Sequence, residues 1–228
     1  MRKITIFMLT AAAAVIAAPA LATPASPGTL TSVANDSYTA QNNVPAGSTV
    51  VTFDTNPQLP NGFSLNGGNI YAQGQYPAYL APEGDNTKFL VTAANATTTL
   101  TANKNFGYSG IGLNWGSIDS SNVLDVLDIF GSVIATITGS QVVGKDSWGG
   151  QGNFNRYVTY TLDPKSGQQI GGLRFTNPNN NAWSFEVDDI AFMGGSPVSV
   201  PEPASIALFG AGLAGLAGAV RRRRRQAA

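Results

Sequence analysis

The chain has 228 residues, with 13 basic and 13 acidic side chains and neither histidine nor cysteine. That excludes Ser-His-Asp and Cys-His hydrolytic arrangements, disulfides, and zinc sites built on imidazole or thiolate, and leaves carboxylate chemistry and oxygen-ligated metals. The charge is unevenly spread: between Ala22 and Val200 six bases stand against twelve acids, a net charge of −6 that argues against nucleic acid as a partner.

Arg2 and Lys3 precede an apolar stretch over 4–18, and Ala20-Leu21-Ala22 offers the small-x-small pattern that signal peptidase accepts. Residues 1–22 therefore read as a secretory signal peptide; the stretch is shorter than the roughly 20 residues needed to span a bilayer, which favours cleavage over an uncleaved anchor. Residues 23–47 are rich in Pro, Ala, Ser, Thr and Asn and read as a flexible lead-in, with one edge strand around 37–39.

From 48 to 193 no stretch sustains a 3.6-residue apolar period. Short β-branched and aromatic runs predict strands at 49–54, 88–93, 97–102, 108–115, 122–129, 133–138, 156–162, 172–176 and 182–192. Turn residues such as Asn66-Gly67-Gly68, Phe130-Gly131-Ser132 and Asn177-Pro178-Asn179 separate them. So many strands in one small domain imply an all-β, two-sheet β-sandwich of jelly-roll type, with an immunoglobulin-like sandwich second. Residues 194–199 read as a linker.

Two segments of this domain carry candidate function. In 112–122 a strand ends in a polar turn holding Asp119 and Asn122, whose side chains suit hydrogen bonds to the turn backbone. Trp115 at its end reads as core, with a stacking platform for a sugar ring as the alternative. In 183–192, Trp183, Phe185 and Val187 share one face while Ile190 and Phe192 fall on the opposite parity, so a β-bulge is expected at Asp188-Asp189. One Asp is then expected to satisfy turn amides and the other to face solvent. Several sugar-binding jelly rolls end in a similar Asp-Asp-Ile-x-Phe strand with a structural Ca²⁺. That likeness implies an oxygen-ligand site at Asp188 or Asp189, with Glu83, Asp85 or carbonyls of 81–86; the absence of an Asp-x-Asp-x-Asp loop weighs against it. The Trp-Gly-Ser-x-Asp-x-x-Asn pattern from Trp115, taken with 182–192, resembles a group of exosortase-dependent surface proteins with β-sandwich domains.

The tail reads Val200-Pro201-Glu202-Pro203, an apolar run over 204–220, then Arg221, Arg222, Arg223, Arg224 and Arg225. A membrane-length run followed at once by an arginine block halts in a bilayer with the block on the cytoplasmic side. Residues 200–228 thus read as motif, transmembrane helix and membrane stop, and they resemble the PEP-CTERM sorting signal. The resemblance implies processing by an exosortase, a membrane-embedded cysteine transpeptidase-like enzyme of Gram-negative bacteria that make exopolysaccharide. The precursor would sit transiently in the inner membrane, and the mature protein at the outer surface or outside the cell.

The expected function is that of a non-enzymatic surface or matrix protein associated with exopolysaccharide or biofilm. The alternative is a carbohydrate-binding module using Trp115 or Trp148, with Tyr157 and Trp183 as further aromatics. A third reading, a carboxylate-based glycoside hydrolase, would draw its two acids from Asp119, Asp125, Asp128, Glu186, Asp188 and Asp189. No cofactor is expected; a structural Ca²⁺ at Asp188 and Asp189 is the one candidate, and the alternative without it is favoured.

Overall fold

The structure is a computed structural model that describes residues 28–34, 44–54, 59–144, 154–178 and 184–198. In chain order the strands are β1 (Thr29–Ala34), β2 (Thr49–Val51), β3 (Ser64–Asn66), β4 (Asn69–Ala72), β5 (Lys88–Thr92), β6 (Ala96–Thr101) and β7 (Phe106–Gly107). There follow β8 (Gly110–Gly116), β9 (Val123–Asp128), β10 (Val133–Thr138), the short helix α1 (Gly139–Val143), β11 (Arg156–Thr161), β12 (Ile170–Asn177), β13 (Phe185–Met193) and β14 (Ser196–Pro197).

One sheet runs β1-β11-β8-β13-β5-β4, with β2 also on β13; the other runs β10-β9-β12-β6-β3. The antiparallel pairs are nested: β9 with β10, β8 with β11, β6 with β12, and β5 with β13. A single long ribbon wrapped across two facing sheets gives that nesting. It is the jelly-roll arrangement, and it sets aside the immunoglobulin-like alternative.

The ribbon closes because alternate residues of each strand are apolar and bury one face. Leu90, Ile111, Leu113, Trp115, Leu124, Val126, Leu173, Phe175, Phe185 and Val187 fill the space between the sheets, each fully buried. Trp115 and Phe185 stack at a centroid distance of 4.4 Å and an angle of 9°, with Phe175 edge-on to Phe185 at 5.2 Å. β8 is buried along its whole length and β13 up to Phe192, so the outer face of the first sheet is covered as well. Phe89 and Val91, which point away from the main core, pack there with Ala81, Tyr71 and Tyr79.

All nine predicted strands are present, with ends displaced by at most three residues. The differences lie at the edges. Thr29–Ala34, inside the predicted flexible lead-in, is a strand paired with β11 from Thr29↔Thr161 to Ala34↔Arg156. Edge strands draw on ladder hydrogen bonds more than on buried side chains, so β1 needs little hydrophobic content to form. The predicted strand at 37–39 lies outside the described residues. Ser196–Pro197, inside the predicted linker, pairs with Phe106–Gly107. The Asn66-Gly67-Gly68 break carries the chain from β3 in one sheet to β4 in the other, with φ of 83° and 69° at the two glycines. Any side chain would be strained there.

Candidate functional site

β13 changes partner midway. Its first part pairs with β5 through Phe185↔Thr92 to Val187↔Leu90, and its last part pairs with β2 through Ile190↔Val51 to Phe192↔Thr49. Asp188 and Asp189 occupy the gap. On the other edge of β13 the register with β8 slips between Asp188↔Asn114 and Ala191↔Gly112, and Asp189 takes a φ of 48°. This is the bulge that the apolar phase required, and it returns Ile190 and Phe192 to the core.

Neither aspartate faces solvent, contrary to the sequence expectation: Asp188 is 0% exposed and Asp189 7%. The outer face of this sheet is roofed by the segment that leads into β5, which the alternation of β13 alone does not reveal. Asp188, Asn114 and Tyr157 form one row across β13, β8 and β11. Asn114 Nδ2 donates to Asp189 Oδ2 at 3.3 Å, and the Asp189 N–H donates to Asp188 Oδ1 at 2.8 Å. The Tyr157 ring lies over Gly112, where a Cβ would come within 2.3 Å of the hydroxyl. Burial, helped by the charge of Asp189, pushes that hydroxyl up to about 12. From the roof comes Asp85, 2% exposed, whose Oδ1 accepts from the Thr87 N–H at 2.7 Å and from the Thr87 hydroxyl.

Burial holds the Asp188 carboxyl well above the usual carboxylate range, and Asp189, Asp85 and Asp54 add to the shift by their negative charge. Beside this cluster opens a cleft of about 500 Å³, lined by 44–48, Val50, Thr52, Asp54, Thr87 and Asp189. Among the described residues, no three acidic side chains converge at metal-ligand spacing.

A second acidic pair is separate. Burial pushes Glu186 up to about 8, and the nearby charge of Asp119 adds to this; the Ser184 hydroxyl and the main-chain N–H groups of Glu186 and Leu80 act in the opposite direction. Asp119, itself pushed up to about 6 by burial, lies in the turn after β8. There Asn122 Oδ1 accepts from the Asp119 N–H at 3.1 Å, as the Asx pattern led one to expect, and Asn122 Nδ2 donates to the Ser184 carbonyl at 3.1 Å. Folded Glu186 keeps its proton between pH 4.5 and about 8, where the unfolded chain has lost it. The folded state then binds more protons, so stability falls as pH rises through that window, by at most about 1.4 kcal/mol per unit. Glu186→Gln cannot titrate and should flatten the pH dependence of thermal unfolding between pH 5 and 8; equal slopes for variant and wild type would contradict the assignment. With 2% exposure for Glu186 and 5% for Asp119, neither acid reaches a substrate in this conformation.

Trp115 has no face open to a sugar ring, being fully buried against Phe185. Trp148, Trp183, Pro201, Glu202, Pro203 and Arg221 to Arg225 lie outside the described residues. Tyr157, the other aromatic singled out, is 5% exposed. The aromatic group that sequence reasoning missed is Tyr71, Tyr76 and Tyr79, at the end of β4 and in the loop after it. Their ring centroids stand 4.8, 5.1 and 5.9 Å apart, and Tyr76 is 49% exposed. Three tyrosines within 71–79 were the available signal.

Fold and tail together define a jelly-roll domain followed by a sorting segment. That segment is identified by comparison: residues 199–225 match the family of the PEP-CTERM protein-sorting motif. The protein thus carries a PEP-CTERM signal, which marks a bacterial surface protein for export and for membrane-anchored sorting by an exosortase. Comparison with curated proteins gives no match.

Proposed function

We propose that the protein is a non-enzymatic component of the extracellular polysaccharide layer of a Gram-negative bacterium, delivered to the outer surface after signal peptidase and exosortase have removed its two ends. The PEP-CTERM match at 199–225 carries this reading. Burial of Asp119 and Glu186 supports the non-enzymatic part, because a glycosidase must present two carboxyl groups to its substrate. The test is to delete the gene in the native host and follow cell aggregation and the protein content of isolated exopolysaccharide. Loss of both, restored by the full chain and not by one ending at Val198, is expected; unchanged aggregation together with a wild-type protein confined to the periplasm would overturn the reading.

The Tyr71–Tyr76–Tyr79 group favours a second reading, carbohydrate binding by this domain. Apolar sugar faces pack on aromatic rings, and here the exposed Tyr76 ring meets those of Tyr71 and Tyr79. Tyr76→Ala and Tyr79→Ala should each weaken retention on the host polysaccharide in affinity electrophoresis, by about tenfold if the lost stacking is about 1.4 kcal/mol. Equal mobility of wild type and variants across polysaccharide concentrations would remove this reading and leave the first intact.

A further inference from the structure

The chain leaves the jelly roll at one end of the sandwich. Ser196–Pro197 pairs with Phe106–Gly107, and the Val198 N–H donates to the Asn105 carbonyl at 3.0 Å. Five residues, 199–203, then separate Val198 from the apolar run over 204–220. A chain extends by at most about 3.5 Å per residue, so the run begins within about 17 Å of Val198. As a helix its 17 residues would cover about 26 Å, somewhat less than the roughly 30 Å of bilayer hydrocarbon, and the headgroup layer takes up part of the remaining reach. While the tail is in the bilayer, the end of the sandwich at Val198 is therefore held at the membrane surface.

That end is where exposed apolar side chains gather. Among the described residues the large hydrophobic side chains left exposed are Val33, Tyr76, Phe106, Phe130 and Val133. Phe106, the ladder partner of Pro197, lines one groove with Lys104, Ile129 and Phe130, and Val133 stands on the other arm of the Phe130 hairpin. The hairpin tip holds Phe130 outward, 79% exposed: Asp128 Oδ1 accepts from the N–H groups of Phe130 and Ser132 at 2.8 Å each, and the Asp128 N–H donates to the Ser132 carbonyl at 2.8 Å. Asp128 is thereby engaged with its own turn, and among the described residues Lys104 makes no ion pair.

We propose that this end, with Lys104, Phe106, Phe130 and Val133, is a lipid-contacting face that rests on the periplasmic leaflet of the inner membrane while the tail is inserted. It builds on membrane-anchored sorting and adds to the tail a second point of contact. The apolar side chains enter the boundary between headgroups and acyl chains, and the Lys104 ammonium reaches lipid phosphate. Two contacts fix the orientation of the domain and keep the 201–203 motif at the bilayer surface. Three apolar side chains are too few to hold a protein on a membrane alone, so removal of the tail frees the domain.

The chain has no cysteine, so a single introduced one can carry a nitroxide. Ser132→Cys places it between Phe130 and Val133, and Thr97→Cys places it at the end of β6 away from Lys104, both at exposed positions. The precursor without its signal peptide, Thr23 to Ala228, is reconstituted into vesicles of phosphatidylethanolamine and phosphatidylglycerol, and access of the label to oxygen and to a water-soluble nickel chelate is measured. The chain is expected to float with the vesicles, with nickel access severalfold lower and oxygen access higher at 132 than at 97. Adding Phe130→Asp, at a side chain that is mostly in solvent, should raise nickel access at 132 to the value at 97. Equal access at the two positions in a chain that floats would overturn the lipid face and leave the sorting account standing. A chain that does not float would overturn both. Low access to both reagents at 132 with spin–spin broadening would show a second copy on this face and overturn the lipid assignment.

Discussion

Replacing Glu202 by alanine is expected to strand the protein as an unprocessed precursor in the inner membrane while leaving its β-domain folded. Glu202 is the one charged residue of the Val200-Pro201-Glu202-Pro203 motif, ahead of the apolar run that ends at the five arginines. Proline favours extended backbone and lacks an N–H donor, and between Pro201 and Pro203 the glutamate side chain is the distinguishing polar group of the motif. The last strand of the domain, Ser196–Pro197, ends before the match at 199–225 begins, so Glu202 belongs to none of the described strands. Cell fractionation and immunoblotting read the result: the variant should remain in the inner-membrane fraction at precursor size, with little in the surface and medium fractions. Release at the wild-type level would remove Glu202 from the recognition step.

Trp115→Ala is expected to have the largest effect on the domain itself. The indole is fully buried and stacked on Phe185 between the two sheets, and truncation leaves a cavity that rigid strands on both sides cannot collapse. Such changes cost about 3–5 kcal/mol, against about 5–15 kcal/mol for the whole stability of an ordinary domain. Denaturant unfolding should show that loss. Trp115→Phe should cost much less, since the indole N–H has no hydrogen-bond partner and its removal takes away a buried donor along with the volume. If Trp115→Ala instead unfolded like the wild type, the stacked core would be wrong and the sugar-platform reading of this residue would return.

The strands of the inner layers were legible because each sets apolar side chains at a two-residue period on its core face, even where, as in β8 and β13, the other face is covered as well. The bulge at Asp188-Asp189 was legible for the same reason: Val187 and Ile190 both had to reach the core, and only an extra residue between them allows it. β1, β4, β7 and β14 lie at edges or in short ladders, where backbone hydrogen bonds hold the strand and side chains leave little trace. The burial of the aspartate pair was illegible because it depends on Asp85 and its neighbours folding over the outer face, a contact between segments about a hundred residues apart in sequence. The tyrosine group escaped notice because its rings meet only once β4 and the following loop are in place.

The intact mass of the mature protein, recovered from the outer surface and culture medium of its native host, tests the sorting account most directly. The expected species begins at Thr23 and ends within 201–203, with any added mass reporting an anchor or glycan at the new end. A surface species that still carries Arg221–Arg225 would contradict processing at the tail, and with it the delivery of this jelly roll to the extracellular layer.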